Sequence, residues 1–210
     1  AAVRQQGGKV YFSPATQAGR EAGLESLVNA GYTPIPPYDH FDIIAGQGTA
    51  CLELLGQAKG IDIVITPVGG GGLVGGTALV ANHHGIVTIG AEPSGAADTA
   101  SSLARGQRVD DVEADTIADG LRALVGERNF ALIHKLVDRV ITVSDDEIRQ
   151  AMILMWQYFR LLVEPSSAVV LAAVQQQKDL FHGKKVAAII SGGNITPSDW
   201  IEVSHWKAEA

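Results

Sequence analysis

Cysteine is nearly absent: Cys51 is the only one among 210 residues. No disulfide can form within the chain, which excludes the disulfide-stapled secreted class and makes a reducing compartment, the cytoplasm, the expected setting. Flanked by Ala50 and Leu52 in an apolar helical pattern, Cys51 reads as a small core residue. Long apolar runs are missing too, since none approaches the roughly 18 residues that a membrane span requires. The opening residues Ala-Ala-Val-Arg-Gln-Gln-Gly-Gly lack the charged start and apolar core of a secretory signal. They also lack a Met, so the chain is expected to begin inside a longer protein. Positive charge is in short supply, with 16 Lys and Arg against 23 Asp and Glu and a formal charge of -7. Nucleic acid and anionic membrane both require a basic face, so neither is an expected partner. Disorder is excluded in turn, because 46% of the residues are hydrophobic and only 19% charged.

Glycine, by contrast, is plentiful, with 24 residues, and four of them are consecutive. Val64-Ile65-Thr66-Pro67-Val68 leads through Gly69-Gly70-Gly71-Gly72 into Leu73-Val74-Gly75-Gly76, so an apolar strand passes directly into an apolar helix. Each glycine sacrifices roughly 0.5–1 kcal/mol in regular structure relative to alanine, so a buried turn built from four suggests close backbone approach to a ligand. Successive N–H groups and the positive end of the following helix suit an anion, and a phosphate cradle is the expected role. Two cofactors compete for it at this point. Gly70, Gly72 and Gly75 satisfy the dinucleotide pattern G-x-G-x-x-G, and Glu92 follows at the distance of a ribose-binding acid, so a nicotinamide-dependent oxidoreductase is one candidate.

Along the chain, residues 9–12 read as a short strand and residues 14–30 as a helix. Pro34, Pro36 and Pro37 force an extended passage, and a boundary is expected there. Residues 43–49 lead into a helix ending near Ala58, with His40 as a surface or hinge residue. Residues 61–68 form a strand, 73–82 a helix and 86–91 a second strand, a unit that implies a parallel sheet with a right-handed crossover. His83 and His84 cap the intervening helix. The acidic run Asp110, Asp111, Glu113, Asp115 and Asp119 reads as a solvated loop. Further on come a helix over 128–137, a strand over 139–143, and Ser144-x-x-Glu147 as a capping box. The helix it opens carries Ile148, Met152, Met155 and Phe159 as a core stripe, with Trp156 and Tyr158 beside it. Glu164-Pro165 breaks that helix, and another is expected from Ala168. Residues 186–190 form an apolar strand that delivers Ser191-Gly192-Gly193 to the sheet edge where ligands of open parallel sheets bind. The expected fold is α/β, an open, mostly parallel twisted sheet with helices on both faces.

Six ordered segments taken together carry a resemblance. They are Ala45-Gly46-Gln47-Gly48-Thr49, Pro67 to Leu73, Gly90-Ala91-Glu92-Pro93, Thr116-Ile117-Ala118-Asp119-Gly120, Glu164-Pro165 and Ser191-Gly192-Gly193-Asn194. The chain resembles, over nearly its whole length, the pyridoxal-phosphate serine/threonine dehydratase and serine racemase family of fold type II. That resemblance implies that Gly69, Gly70, Gly71, Gly72 and Leu73 hold the phosphate of pyridoxal 5'-phosphate. It implies that Ser191 meets the pyridine nitrogen and that Gly120 and Glu164 line the ring. Glu92, the Ala96 carbonyl and Asp98 match the divalent-cation site of metal-activated members, and hard oxygen ligands suit magnesium, manganese or calcium. Residues 1–37 would be a remnant of the smaller lobe and 38–210 the large cofactor-binding lobe. The family's Schiff-base lysine lies in a Ser-Phe-Lys-type motif that is not found here. Lys9, Lys59, Lys135, Lys178, Lys184, Lys185 and Lys207 all lack that context, so no catalytic residue is assigned in this chain. The implied activity is dehydration or racemisation of a β-hydroxy amino acid such as serine, threonine or 3-hydroxyaspartate, in a homodimer when full length. The segment alone is expected to be inactive, and a non-catalytic cofactor-binding lobe is the remaining alternative.

Overall fold

Four short strands, all parallel, form the sheet on which the chain is built. The structure is a computed structural model describing residues 2–14 and 17–205; Trp206 and Lys207 lie outside these. The chain divides into two units, Ala1–Pro36 and Pro37–Ala210.

In the first unit α1 covers Ala2–Gln5 and α2 Gln17–Asn29. Residues 9–12 form no strand and are exposed. A β-rich tetrapeptide gains little from extension unless a neighbouring strand takes its N–H and C=O groups, and every strand pairing among the described residues lies in the second unit. Instead, the Tyr11 and Tyr32 hydroxyls meet at 3.1 Å.

The second unit opens with α3, Phe41–Gln57, whose N-terminus is capped by His40: its Nδ1 accepts from the Asp42 N–H at 3.3 Å. The helix therefore already includes residues 43–49. Strand β1 is Ile63–Pro67, α4 is Gly72–His83 and β2 is Val87–Pro93. Then follow α5, Asp98–Arg105; α6, Glu127–Leu136; β3, Arg139–Val143; and α7, Asp145–Leu154. The Ser144 capping box is formed, with Ser144 Oγ accepting from the Glu147 N–H and Glu147 Oε2 accepting from the Ser144 N–H. Helix α8, Pro165–Gln176, starts with its proline in the first turn, where the missing N–H costs nothing. The last elements are α9, Lys178–Phe181; β4, Val186–Ala188; and α10, Pro197–Ser204.

The strand order is β3-β2-β1-β4. Ile65 of β1 pairs with Ile89 of β2 on one side and Ala188 of β4 on the other. Alternation along the strands sorts the core. Ile63, Ile65, Ile89, Ile141 and Val143 face one side and pack with α7, α8 and Trp200 of α10, while Val64 faces the other with Cys51 of α3 and Ala81 of α4. Helices thus cover both faces, as expected of a parallel sheet. On the second face α3 and α4 approach at backbone distance. A methyl group on Gly76 would overlap the Ile44 carbonyl and sit 2.6 Å from Gly48 N, whereas one on Gly46 would meet nothing within 4 Å. Gly48, not Gly46, serves the close approach.

Two expectations fail along the last third. The stripe after Ser144 holds through Ile148, Met152 and Met155, all buried, but Tyr158 is 76% and Phe159 62% exposed. Residues Met155–Phe159 form a π-turn, which adds a residue to the helical turn and rotates the following side chains out of the 3.6-residue register. Strand β4 is shorter than the apolar run suggests, since ladder pairing ends at Ala188 and Ile190 is 38% exposed.

Candidate functional site

The order of the strands locates the site. From β1 the chain steps outward to β2 and β3, then returns across the sheet to place β4 on the far side of β1. Such a reversal leaves a crevice at the carboxyl ends of the two strands that part company, here β1 and β4. A cavity of about 560 Å³ lies there. It is lined by Pro67 and Gly69 to Leu73 after β1, Ser191 after β4, Gly120, Glu164 and Ser166, and Tyr38 and Gln47. A larger hollow of about 710 Å³ in the first unit carries no charged side chain among its described lining residues, so size alone does not mark the site.

The glycine loop is shaped for an anion. Gly71 caps α4 in the left-handed conformation, φ 90°, which only glycine adopts without strain. A methyl group there would also sit 2.8 Å from Asn129 Cβ, and one on Gly70 would overlap the Tyr38 ring. The leading N–H groups of α4 have no carbonyl one turn earlier, and among the described residues no backbone acceptor takes the N–H of Gly69, Gly70 or Gly71. Free donors at a helix N-terminus, facing a cavity, fit a phosphate group.

Opposite the loop, α8 organises the far wall. Buried Ser167 Oγ donates to the Gly192 carbonyl at 2.7 Å and accepts from the Gly192 N–H at 2.7 Å. Its one hydrogen is thereby spent, so in the 3.1 Å contact between Ser167 Oγ and Ser191 Oγ the Ser191 hydroxyl donates. Glu164 Oε2 accepts from the Asn194 N–H, holding the same turn from the other end. Gly120 reaches the cavity through the turn Asp119–Leu121, where its N–H donates to Ser166 Oγ at 3.0 Å. That turn is anchored by Asp145, whose Oδ1 accepts from Thr116 Oγ1 at 2.6 Å.

Glu92 and Asp98 sit apart from this cavity, both buried. Glu92 Oε1 accepts from the Thr99 N–H and Oε2 from the Ala100 N–H, so the side chain caps α5, and Asp98 Oδ2 accepts from the Val125 N–H. Burial pushes the Glu92 carboxyl up to about 8, against the pull of the Ala100 N–H and with added repulsion from Asp98. Burial raises Asp98 as well. A side chain with no exposure and both oxygens engaged cannot reach a ribose, so the dinucleotide assignment of Glu92 fails. Both are hard oxygen donors whose charge burial opposes, which is the chemistry a divalent cation would offset. The third ligand would have to be the Ala96 carbonyl or water, because among the described residues no three His, Cys, Asp or Glu side chains gather.

Several site residues give no sign in the sequence. Ser166, Ser167, Tyr38 and Asn129 act across chain separations of 24 to 91 residues, and only the Ser-Ser pair beside a helix-starting proline could have marked any of them.

A parallel α/β lobe with a helix N-terminus aimed into the crevice between its diverging strands is the architecture of a phosphate-bearing cofactor site. The chain belongs to the pyridoxal-phosphate dependent enzyme family, whose model matches residues 1–192. It is 44% identical over 201 residues to a serine racemase of Dictyostelium discoideum, covering 92% of this chain and 62% of that protein. A beta-hydroxyaspartate dehydratase of Paracoccus denitrificans is 37% identical over 196 residues, with 92% and 62% covered. The crystal structure of the Dictyostelium discoideum serine racemase superposes with a TM-score of 0.87 over 93% of this chain and 64% of that one. The chain thus spans a little under two thirds of the length of these relatives.

Proposed function

We propose that the protein is a pyridoxal-phosphate dependent dehydratase or racemase of β-hydroxy amino acids such as serine, threonine and 3-hydroxyaspartate. The observation that carries this is the convergence, in one crevice, of the free N–H groups of Gly69 to Leu73 and the Ser191 hydroxyl. Relatives named for serine racemisation and β-hydroxyaspartate dehydration support the substrate class.

The glycine loop and the α4 N-terminus would hold the phosphate, Ser191 would turn its hydroxyl from Ser167 to the ring nitrogen, and Gly120 and Glu164 would line the ring. When bound, the cofactor supplies the electron sink that makes an α-proton acidic. What this chain adds is orientation. Ser167 and Glu164 fix the turn that presents Ser191, and Ser166 Oγ holds the Gly120 N–H at the cavity wall. A hydroxyl at the ring nitrogen holds a proton there less firmly than a carboxylate would, which favours loss of a β-hydroxyl or reprotonation over extended carbanion lifetime. No lysine lines the cavity among the described residues, so the covalent anchor and proton carrier are not assigned here. Glu92, the Ala96 carbonyl and Asp98 would take magnesium, manganese or calcium. The buried lone thiol is in keeping with a reducing, cytoplasmic setting, and the full-length assembly would be a homodimer.

The test is to supply serine, threonine and 3-hydroxyaspartate to the intact protein loaded with pyridoxal phosphate, following keto-acid release and loss of optical purity. Turnover of at least one substrate, abolished by Gly71→Val, is expected; turnover of none would defeat the proposal.

A further inference from the structure

The glycine cradle is held from behind. Asn129, on the first turns of α6, is fully buried, and its Nδ2 donates to the Gly70 carbonyl at 2.7 Å and to the Tyr38 carbonyl at 3.2 Å. The Gly126 N–H donates to the same Gly70 carbonyl at 3.1 Å. Asn129's own N–H donates to Asp39 Oδ1, which ties the segment before α3 into the same knot. Asn129 itself does not line the cavity; Tyr38 and Gly70 do.

We infer that Asn129 is the positioning residue that aims the cradle, a role resting on the phosphate reading of the loop. The peptide between Gly70 and Gly71 is trans, like all those described, and a trans peptide points its N–H opposite its C=O. Two donors, Asn129 of α6 and Gly126 just before it, tie the carbonyl to the rear, so the Gly71 N–H is turned toward the cavity. Four adjacent glycines would otherwise sample many peptide orientations, and an anion would have to select one of them. The amide orientation is itself fixed, because reversing it would set an oxygen against two carbonyls. Asn129 Oδ1 pays for this by having no hydrogen-bond partner among the described residues although buried. The unpaired acceptor is the cost of aiming both amide hydrogens at the two carbonyls.

The test compares three ligands on the apo form of the intact protein: pyridoxal phosphate, inorganic phosphate and pyridoxal, which offers the ring without the anion. Asn129→Asp, which keeps size and loses the donors, and the milder Asn129→Ser are each checked for folding by circular dichroism. Tenfold or greater loss of affinity for the two phosphate-bearing ligands in Asn129→Asp, a smaller loss in Asn129→Ser and pyridoxal binding within twofold of wild type are expected. Should Asn129→Asp fail to fold, Asn129→Ser and the phosphate-induced shift of the Gly71 amide resonance carry the same comparison. Variants that retain the wild-type preference for pyridoxal phosphate over pyridoxal would overturn the inference and leave the cradle standing. Equal weakening of all three ligands would reduce Asn129 to a structural residue and also overturn it. A wild-type protein that binds neither phosphate nor pyridoxal phosphate better than pyridoxal would remove the cradle, and the inference with it.

Discussion

Ser191 lies three residues past the short strand β4, half held by Ser167, and its hydroxyl is the polar side chain that this segment brings to the crevice. Ser191→Ala in the intact protein should weaken pyridoxal phosphate binding by about 1 kcal/mol, roughly fivefold, the worth of one ordinary hydrogen bond. Ser94→Ala, on the loop after β2, is the comparison, and equal affinities in the two variants would break the assignment. Cys51 tests the core at the same scale. It is fully buried and burial pushes its thiol above the usual range, so a thiol reagent should label it only after denaturant is added. Rapid labelling of the native protein would mean that the α3–α4 face opens. Glycine runs, a hydroxyl after an apolar strand and a lone cysteine are legible in a sequence because each works through its immediate neighbours. Asn129 and Ser167 are not, since an asparagine in a helical segment and a serine after a proline acquire meaning only from carbonyls 59 and 25 residues away.

Among the elements, α3 and α4 depend on glycine contact more than on side-chain burial. Gly76→Ala should overpack them and destabilise the fold by about 1–3 kcal/mol, read as a lower urea midpoint at unchanged slope. An unchanged midpoint would mean that the helices separate freely. At the β2–α5 junction, magnesium or calcium bound only by the folded state should raise the melting temperature, by the equivalent of about 1.4 kcal/mol at ten times Kd. Glu92→Gln and Asp98→Asn should each remove the increment; an increment surviving both would place the ion elsewhere. Most element types in the second unit were legible because long periodic segments carry their own signal, with bounds that moved by only a few residues, but the short helices α5, α9 and α10 gave no such signal. Where tertiary structure decides, the pattern misleads. Residues 9–12 have strand composition and no pairing strand, and residues 155–159 keep a helical pattern while the backbone widens into a π-turn.

For the whole molecule, the parallel order β3-β2-β1-β4 explains why residues as distant as Gly69 and Ser191 line one crevice. It follows from two apolar strands flanking one helix, plus a later apolar strand, although the sequence could not say on which side of β1 that strand would pair. On the proposed reading, this crevice binds phosphate through the backbone after β1. A crystal structure of the intact protein with pyridoxal phosphate tests it most directly. Phosphate oxygens within about 2.7–3.2 Å of N–H groups from Gly69 to Leu73, with the ring nitrogen turned to Ser191, are predicted. A phosphate held elsewhere, with the glycine loop making no contact to it, would contradict the account.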